Sequence, residues 1–429
     1  MALGLYTLLL RLGLPFVVLR RLWQHYGEVG RRAAWSEFFG RYGDRSLRSV
    51  IWLHAASPAG VRAAPPLARA LRAEYPDHDV LVTSSTRTAR DALRRACGSE
   101  VLSAYLPYDL PASARRFLAH FRPQLGIVVG VEVWPALLAA CRLHGVPMLL
   151  ANARLSREMA RGYARFGTLS RCAIGIFAAC CAQDLASARR LRRLGARRVV
   201  VTGNVEYDAP SDPAMIEEGR ALMAALRGRK ALLLAGTCEG EEEMLLEALD
   251  QDDGTLIVIV PRHPERFDAV AALATARGMN VARRSRGEAP HIGRRVFLGD
   301  TTGEMPFYLA MSTVTIIGGS FTPEGGCDLI ETCAAGVPAV VGPRMAEFFE
   351  LAQPAVAAGA AIQVADAREA VRTARKLLEI RDWRERMALA GLKVSVAHQG
   401  ATARHLEQCR DLLPGSKRGG TALHPTRPA

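Results

Sequence analysis

The sequence predicts an α/β fold made of two consecutive doubly wound domains, each a parallel sheet with helices on both faces. Three observations predict it. The length of 429 residues exceeds one ordinary domain and suits two. From residue 50 onward, short β-branched runs alternate with amphipathic stretches, which is the rhythm of parallel sheets. A proline-bounded break from Pro210 to Pro213 divides that rhythm into two sets. Tandem domains of this kind face a central cleft between the carboxyl ends of their sheets, where ligands bind.

In the first set the strand candidates are Val50 to His54, Asp79 to Thr83, Leu125 to Val131, Pro147 to Ala151, Ile174 to Ala179 and Arg198 to Thr202. Helical patterns run from Arg62 to Glu74, Arg87 to Cys97 and Asp184 to Leu194. In the second set the strand candidates are Ala231 to Ala235, Leu256 to Val260, Val296 to Leu298, Val314 to Ile317 and Ala339 to Val341. This divides the chain into an N-terminal helical and basic segment (1–48), a first domain (49–209), a second domain (210–413) and a tail (414–429). Glycine, proline, serine and basic residues dominate the tail, which reads as disordered. Hydrophobic residues make up 49% of the chain, enough for a core in each half.

The formal charge is +14, nearly all of it from arginine. Such a surface attracts nucleic acid, anionic lipid or phosphorylated substrates. Aromatic residues are only 6%, and neither zinc-finger spacing nor an RNA-binding signature is present, so nucleic acid is not the expected partner. The nine cysteines are scattered, with only Cys180 and Cys181 adjacent. They read as reduced, mostly buried thiols with no metal site and no disulfide framework. Residues Leu3 to Val18 are strongly apolar, interrupted by Arg11 and Pro15 and followed by Arg20 and Arg21. A spanning helix needs about 20 apolar residues, so this run is marginal. It reads as a helix in, or anchored to, the inner leaflet with its arginines among the phosphates. The alternative is a buried first helix.

Several strand ends carry residues suited to chemistry. Pro261-Arg262-His263-Pro264 follows a buried strand, where Arg262 can fork two phosphate oxygens at a helix start. A charged cap shaped by two prolines explains it too. Asp300-Thr301-Thr302-Gly303-Glu304 is read equally well as a ligand loop or a plain capped helix. Gly318-Gly319-Ser320 and Gly325-Gly326-Cys327-Asp328-Leu329-Ile330-Glu331 form a glycine-rich loop running into a helix. Its amides suit phosphate and Glu331 suits ribose hydroxyls, with loop flexibility as the alternative. In the first half, His54 to Arg62 (with Ser57 and Arg62), Glu132-Val133-Trp134-Pro135 and Asn152 to Ser156 (with Asn152 and Arg154) lie at strand ends facing the same cleft. Phosphate-loop and dinucleotide fingerprints are both missing there, which disfavours a classical NTPase or dehydrogenase.

Taken in order, these segments resemble the 3-deoxy-D-manno-octulosonic acid (Kdo) transferase family of lipopolysaccharide synthesis. The similarity runs from about Arg41 to Arg404 and includes Tyr105-Leu106-Pro107-Tyr108-Asp109, Gly203-Asn204 and Glu239-Gly240-Glu241-Glu242. It implies a GT-B glycosyltransferase architecture of two Rossmann-like domains, and inverting chemistry without metal or cofactor. A CMP-sugar donor, CMP-Kdo, is implied in the second domain and a lipid A precursor against the first, at the cytoplasmic face of the inner membrane. Carried over by position, Arg262, His263, Thr302, Gly303, Glu304, Asp328, Leu329, Ile330 and Glu331 are donor contacts. Ser57, Arg62, Asn152 and Arg154 are placed on the acceptor side.

Four departures stand out. The family's loop normally ends Val-Gly-Glu, its glutamate being the general base; here Pro58, Ala59 and Gly60 occupy it. Its Met-Glu-Thr-Glu stretch is Val129-Gly130-Val131-Glu132, its Gly-Gly-His-Asn-Pro-Leu-Glu stretch ends in Cys327 to Glu331, and its usual lysine is Glu206. Gly60 cannot accept a proton, so another group, with Glu132 as the candidate, or substrate-assisted chemistry would take the base role. Three readings follow: an active transferase with another base, a paralogue with another sugar or acceptor, or an inactive member that binds nucleotide or lipid.

Overall fold

The computed structural model describes residues 31–43, 48–226, 228–249, 253–291, 293–323, 328–345 and 349–413, together with 4, 6, 7 and 326. The expected membrane helix falls almost wholly outside the described residues, as do the tail 414–429 and the loop residues Gly325 and Cys327. Among the described residues, no helix is long and apolar enough to cross a membrane.

The chain forms two compact units, Met1–Asp208 with Gly400–Ala429, and Ala209–Gln399. The first holds β1 (Ser49–His54), β2 (His78–Ser84), β3 (Leu102–Tyr105), β4 (Pro123–Val129), β5 (Met148–Ala153), β6 (Ala179–Ala182) and β7 (Val199–Val201). These make one seven-stranded parallel sheet in the order β3-β2-β1-β4-β5-β6-β7. Five of the six residues of β1 are buried, because a parallel strand covered on both faces must be apolar on both. Trp52 and Phe117 fill one side of the sheet, and Leu53, Leu67 and Leu71 the other. The second unit repeats the plan with β8 (Ala231–Thr237), β9 (Leu256–Pro261), β10 (Val281–Arg283), β11 (Val296–Leu298), β12 (Val314–Ile317), β13 (Ala339–Val341) and β14 (Ala361–Gln363). Its order is β10-β11-β9-β8-β12-β13-β14, again parallel.

The sequence expectations need four corrections. Residues 174–178 are not a strand: Ile174 ends the helix Thr168–Ile174, Gly175 caps it, and the strand is the later Ala179–Ala182. Small apolar residues carry no period there, and pairing with β5 and β7 decides the conformation. The strand after Leu125 stops at Val129 because Gly130 turns to φ +84°. The strand expected over Pro147 to Ala151 runs from Met148 to Ala153, and Asn152 within it adopts φ +51° where the pairing with β6 shifts register, a local bulge. Finally, the second unit ends at Gln399 rather than at 413. The helix Ala401–Leu412 returns to the first unit.

That return is held by buried and partly buried polar contacts. Asp208 accepts the Gly400 and Thr402 N–H groups at 2.6 and 2.5 Å. His405, fully buried, accepts the Asn152 N–H through Nε2 at 2.9 Å, and its Nδ1 lies 2.7 Å from the Ala401 carbonyl. Burial pushes its pKa down to about 4, against a partial upward pull from the Ala401 carbonyl. The unfolded chain therefore takes up this proton near pH 6.5 while the folded chain refuses it until about pH 4. The contribution is complete above about pH 6.5 and is lost as pH falls toward 4, by up to about 3 kcal/mol. Urea unfolding of native protein and His405→Gln across that range should show the acid slope in the native chain and a weaker one in the variant.

Candidate functional site

In each sheet the strand order reverses once, between β1 and β4 in the first unit and between β8 and β12 in the second. Ligands of doubly wound sheets bind beyond the carboxyl ends at such points. The chain places polar residues at both.

In the first unit, His54 ends β1 and is completely buried. Its Nδ1 lies 2.9 Å from Thr83 Oγ1 and its Nε2 3.2 Å from Glu132 Oε2. Thr83 Oγ1 accepts the Trp52 indole N–H at 2.8 Å. Thr83 Oγ1 also lies 3.5 Å from the Leu53 carbonyl, and a neutral imidazole with its proton on Nε2 faces the carboxylate with an N–H. The other Glu132 oxygen accepts the Ser57 N–H at 3.1 Å. Burial would raise the Glu132 carboxyl. His54 and the N–H groups of Ser57 and Ala56 outweigh it and hold the group below the ordinary carboxylate range. Glu132 thus clamps the loop between β1 and the helix Pro58–Glu74.

Ser57 caps that helix, its Oγ accepting the Gly60 N–H at 3.1 Å. A Cβ at Gly60 would meet Ser57 Oγ and the Val129 carbonyl, each at 3.0 Å, and a Cβ at Gly130 would meet the same Oγ at 3.5 Å. Positions 60 and 130 therefore converge on one hydroxyl. Two residues after Gly60, the Arg62 side chain is 63% exposed and pairs with Glu206 at 2.6 Å. Asp109, of the Tyr105–Asp109 segment, accepts the Ala136 and Leu137 N–H groups at 3.1 and 2.7 Å. It thereby caps the helix that follows Trp134 and ties two of the matching segments together. Arg154 is half-buried. Asn152 differs from its expected acceptor role: it is 3% exposed and its Oδ1 accepts the Val205 N–H at 3.0 Å, so its amide serves the fold.

In the second unit Gly318, directly after β12, lies so close to β8 that a Cβ there would be 2.5 Å from the Gly236 carbonyl oxygen, which only glycine tolerates. Glu241, completely buried, accepts the Gly319 N–H at 2.5 Å and the Cys238 and Phe321 N–H groups at 2.9 Å. One carboxylate thus shapes the glycine loop from both sides of the switch point. Burial, the larger influence, still pushes its pKa up. Glu242, also buried, accepts Thr237 Oγ1 and Arg266 Nη2, each at 2.9 Å. This fixes the turn that carries Arg262 and His263.

Arg262 and His263 are exposed, and Arg262 Nη1 reaches the Gly326 carbonyl at 3.3 Å. The structure therefore brings Arg262 to the glycine-rich loop. Thr302 and Gly303 are exposed, with open space where a Cβ at Gly303 would point. Glu304 is gripped by Arg284 at 3.0 and 3.2 Å, which holds its carboxyl below the usual range against partial burial. Asp328 caps the helix Leu329–Ala334 through the Ile330 N–H at 2.9 Å, and Glu331 is exposed. The Leu329 and Ile330 side chains, expected among the donor contacts, are core residues at 0% and 2% exposure. Only their backbone can face a ligand. Among the described residues, no group of three or more His, Cys, Asp or Glu side chains could hold a metal ion.

Glu241, Glu242, Arg284 and His405 emerge as anchoring residues only in the structure. The acidic run Glu239–Glu242 at a strand's carboxyl end was the available signal for two of them. No sequence signal pairs Arg284 with Glu304 or His405 with Asn152, since each contact is made by packing.

The two parallel sheets define a GT-B glycosyltransferase architecture. A glycosyltransferase from Rickettsia africae shares the fold, with a TM-score of 0.61 over 86% of this chain and 100% of that one, at 13% identity. Residues 33–209 match the family model of 3-deoxy-D-manno-octulosonic-acid transferase. The Bordetella pertussis 3-deoxy-D-manno-octulosonic acid transferase is 40% identical over 96% of this chain and 99% of its own length. The Haemophilus influenzae enzyme of the same name is 32% identical over 88% and 91%. The chain belongs to the Kdo transferase family.

Proposed function

We propose that this chain transfers Kdo from CMP-Kdo to a lipid A precursor such as lipid IVA, with inversion and without metal, at the cytoplasmic face of the inner membrane. Arg262 carries the donor half of this reading. An exposed guanidinium at the end of β9, touching the glycine-rich loop at 3.3 Å, suits a ligand with a phosphate and a carboxylate. His263, Thr302, Gly303 and the exposed Glu331 complete the donor surface, and Ser57, Arg62 and Arg154 serve the acceptor. The basic surface, at +14, suits the acceptor's phosphates and the anionic leaflet together.

The general base is the weak point. Glu132 is engaged through both oxygens and held below the ordinary carboxylate range, so it accepts a proton poorly near neutral pH. It acts first as a clamp. Slow turnover by the native chain follows, with Gly60→Glu expected to raise kcat about 100-fold. The added Cβ must displace Ser57 Oγ or the Val129 carbonyl by a few tenths of an ångström, at a cost of about 1 kcal/mol in stability. Purified, detergent-solubilised protein with CMP-Kdo and a tetraacylated lipid A precursor, read by product mass, checks this. Equal rates from both proteins would assign the base role to Glu132 or the acceptor itself. Silence from two folded proteins would sink the Kdo assignment.

The missing side chain at position 60 also supports a second reading, a family member that binds donor or lipid without turnover. It predicts CMP-Kdo binding by calorimetry with no product from the native chain.

A further inference from the structure

We infer that Arg284 is a positioning residue for donor binding: it grips Glu304 from outside the loop Thr301–Glu304, holds that loop in its binding shape, and is itself held by Glu218. The inference rests on the donor reading above, in which Thr302 and Gly303 meet the CMP-sugar. Arg284 lies just beyond the carboxyl end of β10, an edge strand of the second sheet. An arginine in a turn at a sheet edge ordinarily points into solvent. Here the side chain is only 24% exposed.

Its guanidinium is occupied on two edges and one face. Nε and Nη2 donate to the two Glu304 oxygens at 3.2 and 3.0 Å. Nη1 and Nη2 donate to the two Glu218 oxygens at 2.7 and 3.2 Å. The guanidinium carbon lies over the ring of Phe307, a completely buried residue, 4.3 Å from its centroid. Forking two carboxylates at once demands a planar group with donors on adjacent edges, which arginine has and lysine lacks. Glu218 belongs to the helix Pro213–Ala225, which packs so closely on the helix Met305–Ala310 that a Cβ at Gly219 would collide with the Phe307 carbonyl. A packed helix therefore backs the arginine.

The neighbours of Arg284 hold the other end of the same segment. Arg283 Nε donates to Asp300 Oδ2 at 2.7 Å, and Ser285 donates to Asp300 through its N–H at 2.7 Å and its Oγ at 2.5 Å. The Thr301 hydroxyl donates to Glu304 and lies 2.8 Å from Tyr308 Oη. Between these anchored ends Thr302 and Gly303 are exposed, Gly303 at φ +84°. Among the described residues, neither of their N–H groups has a hydrogen-bond partner. The shape the loop offers a ligand thus depends on where Asp300 and Glu304 are held, and Arg284 holds the Glu304 end. It also cancels the Glu304 charge beside a donor that carries a phosphate and a carboxylate.

Calorimetry with CMP on the full chain tests the inference, with urea unfolding to confirm that each variant is folded. Arg284→Gln is expected to weaken CMP binding about tenfold, the effect of a slightly misplaced contact loop. Arg284→Lys keeps the charge without the forks and should still bind about fivefold more weakly than native. Glu218→Gln frees one fork and should cost about threefold. Because Arg284 acts through Glu304, Arg284→Gln/Glu304→Gln should bind within about twofold of Glu304→Gln alone. The control Arg368→Gln removes an exposed ion pair with Glu247 in the same unit and should match native. Unchanged affinity in a folded Arg284→Gln overturns the inference. Full recovery by lysine also does, since it would reduce the role to charge, as do multiplied losses in the double variant, which would mean that Arg284 acts apart from Glu304. If Arg284→Gln does not fold, the lysine and double variants carry the test, because neither leaves Glu304 as a lone charge. Failure of the donor reading would show in the native titration as no CMP binding, and failure of this inference in the variants only.

Discussion

Glu241→Gln is expected to destabilise the second unit by about 3 kcal/mol and to weaken its hold on CMP-Kdo more than any stability loss explains. The carboxylate accepts three backbone N–H groups, two through one oxygen and one through the other. Glutamine keeps a single acceptor oxygen and turns an NH₂ group toward at least one donor. A buried donor left unpaired costs about 1–3 kcal/mol, and bonds to a charged acceptor lie at the upper end. The donors also belong to the loops on either side of the β8/β12 switch point, so losing one loosens the loop that holds Gly319. Urea denaturation gives the stability change and calorimetry with CMP-Kdo gives the binding change. Stability within 0.5 kcal/mol of native would remove Glu241 from its role.

Arg262→Ala should separate binding from folding in the opposite sense. Arg262 is exposed and, among the described residues, its side chain has one hydrogen bond, to a backbone carbonyl at 3.3 Å, so stability should stay within about 0.5 kcal/mol. Donor affinity should fall about 100-fold, the size of a charge-assisted, two-pronged contact. Arg262→Lys should recover only part, because an ammonium cannot span two oxygens in a plane. Unchanged KM for CMP-Kdo in the alanine variant would place the donor phosphate elsewhere.

What could be read from the sequence follows from the physics of each element. Central strands such as β1, β8 and β9 are buried on both faces and announce themselves as apolar runs. The helix Arg87–Cys97 has the predicted bounds, because Thr86 caps it and Gly98 ends it. The strands that escaped, Leu102–Tyr105, Val281–Arg283 and Ala361–Gln363, lie at sheet edges and are three or four residues long, too short to show a period. At the site, strand ends and glycines marked where a ligand goes. They did not show which polar residues are spent on the fold. Asn152 reads as a ligand residue until His405 and Val205 occupy it. Leu329 and Ile330 match a binding stretch yet lie in the core, since a helix that offers its amino end to a ligand must bury one face.

The return of the helix Ala401–Leu412 to the first unit sets an order of assembly. A chain leaves the ribosome amino end first, and domains ordinarily fold as they emerge. Here the first unit is discontinuous: while residues 209–399 are being made, the Asn152 N–H and the Asp208 carboxylate have no partners from residues 400–405. The half synthesised first is thus completed last, and every finished first unit certifies that the entire second unit has been translated.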